Sequence, residues 1–341
     1  MIALDRKEHM NSKKKQQQIY RVAIIGAGRI GCGFDGPTSR EVLTHAHAFS
    51  AGNRTELIAI VDTSVIRGKK ESKKWGVEFF TDIERMLDTA KPDIVVIATP
   101  DDTHALLLEK VSAKKGVKLI VCEKPIAVSK NEVAMLRKKV APRNVPIVVN
   151  FSRRFDPVVH EVREALLRGK YGQVISANGI YTNGVLHNGS HMMDLARFIF
   201  GEMTSSSMHF AVPDHKEGAP SIGGVMTFER CPQFYLMTGD ERRYAVFELE
   251  IVTERKRLRF ANFGFQLITQ DVVKDPMFKG FKMLGKQVVR NTGLIDALPN
   301  LVKHCVWIID ENEESLSSLE EGLKTQEVCH ELLTRIKSQK K

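Results

Sequence analysis

The sequence predicts an α/β chain in two parts, a doubly wound parallel sheet followed by an α+β domain whose sheet is open and mostly antiparallel. Three observations carry this. Up to residue 150, short runs that are almost wholly apolar alternate with polar, helix-forming stretches, as strands buried on both faces require. The first run, Tyr20–Ile25, passes directly into Gly26-Ala27-Gly28-Arg29-Ile30-Gly31, a G-x-G-x-x-G. After Asn150 the runs alternate apolar with polar residues, and the five between 207 and 261 follow one another without helices between them. A length of 341 residues also favours two domains, read here as 19–150 and 151–335, between a polar leader 1–18 and a basic tail 336–341.

The glycine run has strand before it and, by expectation, helix after it, the context of a Rossmann dinucleotide site. Glycines let the backbone turn tightly and approach a pyrophosphate. Asp62 closes the run 57–61 and is placed to accept from an adenosine ribose, which favours NAD(H) over NADP(H). Arg67 keeps the phosphorylated cofactor open. The spacing from glycines to acid is longer than usual, and the polar stretch 34–40 accounts for the excess. Further βα units follow: a strand at 77–80 with a helix opening at Thr81-Asp82, and a strand at 92–100 with a helix opening at 101–104. The next strand is Leu119–Cys122, followed by Glu123-Lys124-Pro125. Proline cannot continue a central strand, so the chain turns and leaves Lys124 at the carboxyl end of a buried strand; a Lys-Pro bond can be cis. Ser129 caps a helix to Lys139, and 145–150 completes the sheet.

Beyond Asn150, a helix at 158–168 closes at Gly169, and strands are expected at Val174–Tyr181, 207–212, 223–228, 234–238, 244–251 and Lys256–Ala261. A helix is expected over 192–200 and an amphipathic one over 313–337. The formal net charge of +10 includes +3 in residues 1–18 and +4 in residues 335–341, so the body is nearly neutral. No basic stripe interleaved with aromatics exists, which argues against nucleic acid. Five scattered cysteines without metal spacing fit a reducing compartment, and no run approaches a membrane span, so the expectation is a cytoplasmic protein with no metal.

With these residues in view, the chain resembles the Gfo/Idh/MocA oxidoreductases over residues 19–335. The resemblance rests on Gly26–Gly31, on Ile97-Ala98-Thr99-Pro100 followed by His104, and on Glu123-Lys124-Pro125. It rests also on Arg153-Arg154-Phe155-Asp156-Pro157, and on Gly189-Ser190-His191 before Met192-Met193-Asp194-Leu195 and Phe200-Gly201-Glu202. It implies hydride transfer at a sugar or polyol carbon, and dimers or tetramers formed through the open sheet. It also implies that Lys124 contacts nicotinamide ribose and substrate, that His191 is the acid/base, and that Thr99 and Pro100 line the cofactor, with His104 and Glu123 beside them. Many members carry an aspartate four residues before the histidine, where this chain has His187. That departure leaves two readings: His187 takes over part of the acid's work, or activity is altered and the chain is a dinucleotide-binding sensor or regulator.

The chemistry fits these residue types. Oxidising a secondary alcohol needs a base for the hydroxyl proton, and a histidine suits that task; a lysine can hold the oxygen as it gains charge. His191 also reads as a helix cap, and His187 as a loop residue that touches substrate without exchanging protons. Arg153 and Arg154 suit a phosphate or carboxylate, or an ion pair within the fold. Asn150, at the end of the last strand of the sheet, is a further substrate contact. A phosphorylated or nucleotide-linked sugar is the expected substrate class.

Overall fold

The computed structural model describes residues 18–214 and 219–338, so the leader 1–17 and the last three residues of the tail lie outside the described residues. Two compact units are present: 18–155 with Ile295–Leu323, and Asp156–Leu294 with 324–338.

In the first unit six strands pair in parallel: β1 (Tyr20–Ile25), β2 (Thr55–Val61), β3 (Glu78–Phe80), β4 (Ile94–Ile97), β5 (Leu119–Cys122) and β6 (Ile147–Val149). Every residue of β4 and β5 is fully buried, which is why their sequences carry no polar alternation. The spatial order is β3-β2-β1-β4-β5-β6. Order reverses between β1 and β4, so the connections leaving those two strands diverge and open a crevice at the carboxyl edge of the sheet. The helices are α1 (His45–Ala51), α2 (Val65–Trp75), α3 (Ile83–Ala90), α4 (His104–Ser112) and α5 (Lys130–Lys139). Ser129 caps α5 as expected, in a reciprocal pair with Glu132, and Asp82 caps α3 through Arg85 N.

One feature of this unit differs from expectation. A regular helix does not follow the glycine run; Arg29–Gly33 forms a single π-helical turn, and α-helix resumes only at His45. Pro37 within the polar stretch cannot supply the N–H that a continuing helix needs. Asp35 folds that stretch back instead, accepting from Leu43 N at 2.6 Å, from the Thr44 hydroxyl, and pairing with His47 Nδ1 at 2.9 Å. Lys74 Nζ adds bonds to the carbonyls of Cys32 and Asp35 at 2.6 and 2.8 Å.

The second unit opens with α6 (Pro157–Leu167), capped by Asp156 with proline at the first helical position, a favoured site. Then come β7 (Val174–Tyr181), α7 (Gly189–Phe200), β8 (Met203–Val212), β9 (Ser221–Phe228), β10 (Cys231–Thr238), β11 (Phe247–Thr253), β12 (Lys256–Ala261), β13 (Gln266–Lys274), β14 (Lys282–Leu284) and β15 (Val288–Asn291). They form one nine-stranded sheet in the order β14-β13-β12-β11-β7-β10-β9-β8, with β15 on β13. Among the described residues only β7 and β10 pair in parallel; the other pairings of this sheet are antiparallel. Met192, Met193, Ala196 and Phe200 of α7 pack with Phe228, Phe234 and Leu249 to make the core. The expected strands are present: β7 and β12 keep their expected bounds, β8, β9 and β10 begin earlier, and β11 begins at Phe247 rather than 244 and runs on to Thr253, while β13 to β15 carried too little alternation to be read.

The chain then forms α8 (Ala297–Glu311) and α9 (Leu319–Ser338). The final helix starts six residues later than the pattern of leucines suggested. Asn312 sits at φ 53°, which ends α8, and the turn that follows is held by Leu316 N donating to His304 Nε2 at 3.0 Å. The helix also runs past 335, and Ile336 is buried in the second core.

Gly31 is fixed by packing. A Cβ there would stand 2.1 Å from the backbone oxygen of Gly26, an atom that cannot move aside without opening the loop. Gly31→Ala should therefore cost about 1–3 kcal/mol in denaturant unfolding, the usual scale of overpacking; an unchanged midpoint would show that the loop yields at no cost.

Candidate active site

The loop after β1 lies against the end of β4. Gly26 adopts φ +107°, and a Cβ on it would fall 2.4 Å from the Ala98 carbonyl oxygen. Gly28 is different: a Cβ there would meet nothing closer than that same oxygen at 4.0 Å, so the glycine leaves open room over the loop. An open backbone face beside two glycines forced by packing fits the diphosphate of a dinucleotide. Arg29 is exposed and Ile30 half-buried next to it.

Asp62 follows β2 and is 4% exposed. One carboxylate oxygen accepts from Ala27 N at 2.8 Å and Arg67 Nε at 2.9 Å; the other accepts from Ser64 N at 2.7 Å and an Arg67 amino group at 2.8 Å. These four bonds fill the usual capacity of a carboxylate. Burial alone would raise its pKa, yet the bonds from Arg67, Ser64 and Ala27 hold it below the ordinary carboxylate value, so it stays ionised. Asp62 thus anchors the glycine loop through Ala27, and a ribose hydroxyl reaches it only where Arg67 gives way.

The turn after β5 gathers a buried polar cluster. Glu123 is buried, and its Oε1 meets His45 Nε2 at 2.8 Å and Asn150 Nδ2 at 2.7 Å. Burial pushes this carboxyl up, but the bonds from His45 and Asn150 and the charge of Lys124 bring it below its ordinary value. Lys124, on a cis Lys124–Pro125 bond, is half-buried. Burial lowers its pKa; Glu123 and Asp101 draw it back up, Arg153 pushes it down, and the balance is a lysine more easily deprotonated than a solvated one. Thr99 is half-buried, its hydroxyl 2.6 Å from that of Thr103, and Pro100 is exposed.

Two expected contacts take different roles. His104 is fully buried, with Nδ1 at 2.7 Å from the Pro125 oxygen and Nε2 at 2.8 Å from the Thr99 oxygen. Both ring nitrogens are spent on backbone carbonyls, so His104 ties the end of β4 to the turn carrying Lys124 rather than touching a cofactor. Arg154 is also buried; it donates to the Leu316 carbonyl and pairs with Glu321, each at 2.8 Å. That commitment corrects its assignment to substrate charge, since releasing it would leave Glu321 and a buried guanidinium unpaired. Arg153 is half-buried, and its charge lies close enough to lower the Lys124 pKa. His45 was missed altogether. Its one sequence signal is Thr44, whose side chain caps the short helix that His45 begins.

In the second unit, the passage from β7 to α7 holds the other candidates. Asn183 and Gly184 take left-handed backbone, and 184–188 form a π-helical turn that runs into α7. His187 lies in that turn and His191 in the first turn of α7, both half-buried and four residues apart along a continuous helical backbone. Asp214 fixes the turn's start, accepting from Asn183 N at 2.8 Å and from the Ser221 hydroxyl at 3.0 Å. His191 is therefore a residue within the helix rather than its cap. Among the described residues no group of three or more His, Cys, Asp or Glu is placed to hold a metal ion.

Residues 20–151 match the Gfo/Idh/MocA profile, an oxidoreductase family with an NAD-binding Rossmann fold. Inositol 2-dehydrogenase of Rhizobium meliloti is 32% identical over 200 residues, 53% of this chain and 55% of that protein. D-apiose dehydrogenase of Paraburkholderia graminis is 30% identical over 193 residues, 51% of this chain and 49% of that protein. The chain thus spans about half the length of these relatives. Among solved structures, an oxidoreductase from Desulfitobacterium hafniense described as NADPH-dependent has the same fold, with TM-score 0.80 and 19% identity over 95% of this chain and 97% of that one. The WlbA dehydrogenase from Bordetella pertussis, in complex with NADH and UDP-GlcNAcA, matches with TM-score 0.71 and 17% identity over 91% and 94%. Residues 20–151 are thus similar to the NAD-binding Rossmann domain of the Gfo/Idh/MocA oxidoreductases.

Proposed function

We propose that the chain is a nicotinamide-dependent oxidoreductase acting at a hydroxyl or keto carbon of a sugar or polyol. The observation that carries this is Lys124, a half-buried lysine at the carboxyl edge of the same sheet as the glycine loop and Asp62. Bound nicotinamide dinucleotide supplies the hydride acceptor or donor. His191 takes the hydroxyl proton, and the Lys124 ammonium holds the oxygen that becomes negative as the proton leaves. His187 assists His191 or touches substrate. Asn150 and Arg153 meet the substrate's polar groups, Arg153 favouring a phosphorylated or nucleotide-linked sugar. The names of the relatives, an inositol and an apiose dehydrogenase among them, support the sugar class.

NAD(H) is the proposed cofactor. Asp62 stays ionised at the place where a 2′-phosphate would sit, and Arg67 is already paired with it. The neighbour described as NADPH-dependent makes this a point to test. We also assign the open sheet of the second unit to self-association, since Ile175, Val225, Tyr235 and Met237 lie exposed on β7, β9 and β10. All five cysteines are buried and free, which agrees with a cytoplasmic setting. The second reading, a dinucleotide-binding regulator without turnover, draws on His187 standing where many members have an acid.

Titration with NADH and NADPH, followed by nicotinamide fluorescence, tests the cofactor. NADH should bind more tightly than NADPH by about tenfold or more, because the ionised Asp62 repels a 2′-phosphate and Arg67 is already spent on that carboxylate. Equal or tighter binding of NADPH would sink the assignment. Lys124→Ala should cut turnover by about a hundredfold or more with cofactor affinity within severalfold; retained activity would remove Lys124 from the site. The rate of alcohol oxidation should rise as His191 loses its proton and fall again as Lys124 loses its own. Burial lowers the Lys124 pKa, so this alkaline limb should lie below the ordinary lysine range. A His191→Ala enzyme that keeps the acid limb would reassign the base. Nicotinamide binding without turnover on any inositol, sugar phosphate or nucleotide sugar favours the regulator.

A further inference from the structure

Three polar side chains of the first unit meet out of contact with solvent: His45 at 0% exposure, Asn150 at 6% and Glu123 at 8%. Glu123 Oε1 is the shared acceptor, 2.8 Å from His45 Nε2 and 2.7 Å from Asn150 Nδ2. An ionised carboxylate has no proton to give, so it orients both partners. His45 must donate through Nε2. Asn150 must turn its amino group toward Glu123, and its oxygen the other way. Asn150 Oδ1 and His45 Nδ1 are both buried without a hydrogen-bond partner. Nearly all buried polar atoms are paired, so orphans of this kind call for an explanation. Asn150 follows β6 and its N–H donates to the Cys122 carbonyl at 2.9 Å, which places it at the carboxyl edge where open α/β sheets take ligands.

We propose that His45 is a positioning residue: by donating to Glu123 it keeps that carboxylate ionised, and so keeps the Asn150 oxygen turned to accept an N–H or O–H donor of a bound molecule. The ligand half of this rests on the oxidoreductase reading. Two donors share the required chemistry, the carboxamide of nicotinamide and a hydroxyl of the sugar substrate. Without His45, Glu123 keeps only Asn150 and the charge of Lys124 against its burial, and the carboxyl takes up a proton more readily. A protonated Glu123 can donate; the Asn150 amide then pairs through its oxygen and turns over, and the ligand loses its acceptor. The other titratable and charged groups near Glu123 are the Cys122 thiol, which burial and Glu123 push up, and Asp101 and Arg153, which act on Lys124.

His45→Leu and His45→Gln provide the test, because a glutamine amide can still donate to Glu123. In His45→Leu, infrared difference spectra between about pH 5 and 9 should show a protonated-carboxyl band that is absent from wild type and lost on adding Glu123→Gln. At the acid end of that range His45→Leu should bind its ligand about tenfold more weakly, recover at the alkaline end, and be rescued in His45→Gln. If the donor is the carboxamide, the loss appears with NADH and not with ADP-ribose. If it is a substrate hydroxyl, NADH binding stays flat and KM carries the pH dependence. Glu123→Leu, which removes the acceptor itself, should weaken the same ligand at every pH, and it keeps the test alive should His45→Leu fail to fold. No carboxyl band, a loss of equal size at all pH values and in His45→Gln, or wild-type binding by Glu123→Leu would each overturn the proposal. Wild-type protein that binds neither NADH nor ADP-ribose would sink the oxidoreductase reading and the ligand half together, while the infrared band still decides whether His45 keeps Glu123 ionised.

Discussion

The contact between the loop after β1 and the end of β4 constrains the rest of the first unit. Gly26 sits where any Cβ would collide with the Ala98 carbonyl, and Gly31 where one would collide with Gly26 itself. That closeness follows from the strand order, because β1 and β4 are neighbours whose connections leave in opposite directions. The divergence opens the crevice, and the glycines let the backbone line it. Asp62 then ties the loop to the end of β2 through Ala27 N, so one buried carboxylate holds three consecutive features of the site in register.

Charges buried in the protein are handled by a common rule. Asp62 has Arg67, Glu123 has His45 and Asn150, and Arg154 has Glu321 with the Leu316 carbonyl. In the second unit, Arg197 has Glu202 and the Thr325 hydroxyl. Each group would be costly to bury alone, and the pairs of Glu123 with His45, Arg154 with Glu321 and Arg197 with Thr325 also join segments remote in sequence. The consequence for function is that a charged residue at the right position in a motif need not face the ligand. Arg154 and His104 sit within recognisable motifs, yet both are spent on the fold. Lys124 differs, because burial there outweighs the pull of Glu123 and Asp101 and leaves its pKa lowered.

The sequence by itself determined the six-strand parallel sheet, because strands buried on both faces must be apolar throughout and β4 and β5 have no polar residue to obscure the pattern. It determined the glycine loop, Asp62, the caps at Asp82 and Ser129, and the turn at Lys124, each of which depends on local backbone chemistry. It also carried the family resemblance that singled out His191. It did not determine α1, since His45 follows a polar stretch whose fold depends on Asp35 reaching forward to Leu43, Thr44 and His47. Nor did it determine α8, β13 to β15 or the late start of α9, where tertiary packing rather than periodicity sets the structure. The division between Arg153 and Arg154, and the meeting of His45 with Glu123 and Asn150, were decided only in three dimensions. Such pairings join residues as far apart as 45 and 123 or 154 and 321, and hydrogen bonding between remote buried groups leaves no periodic trace in the chain.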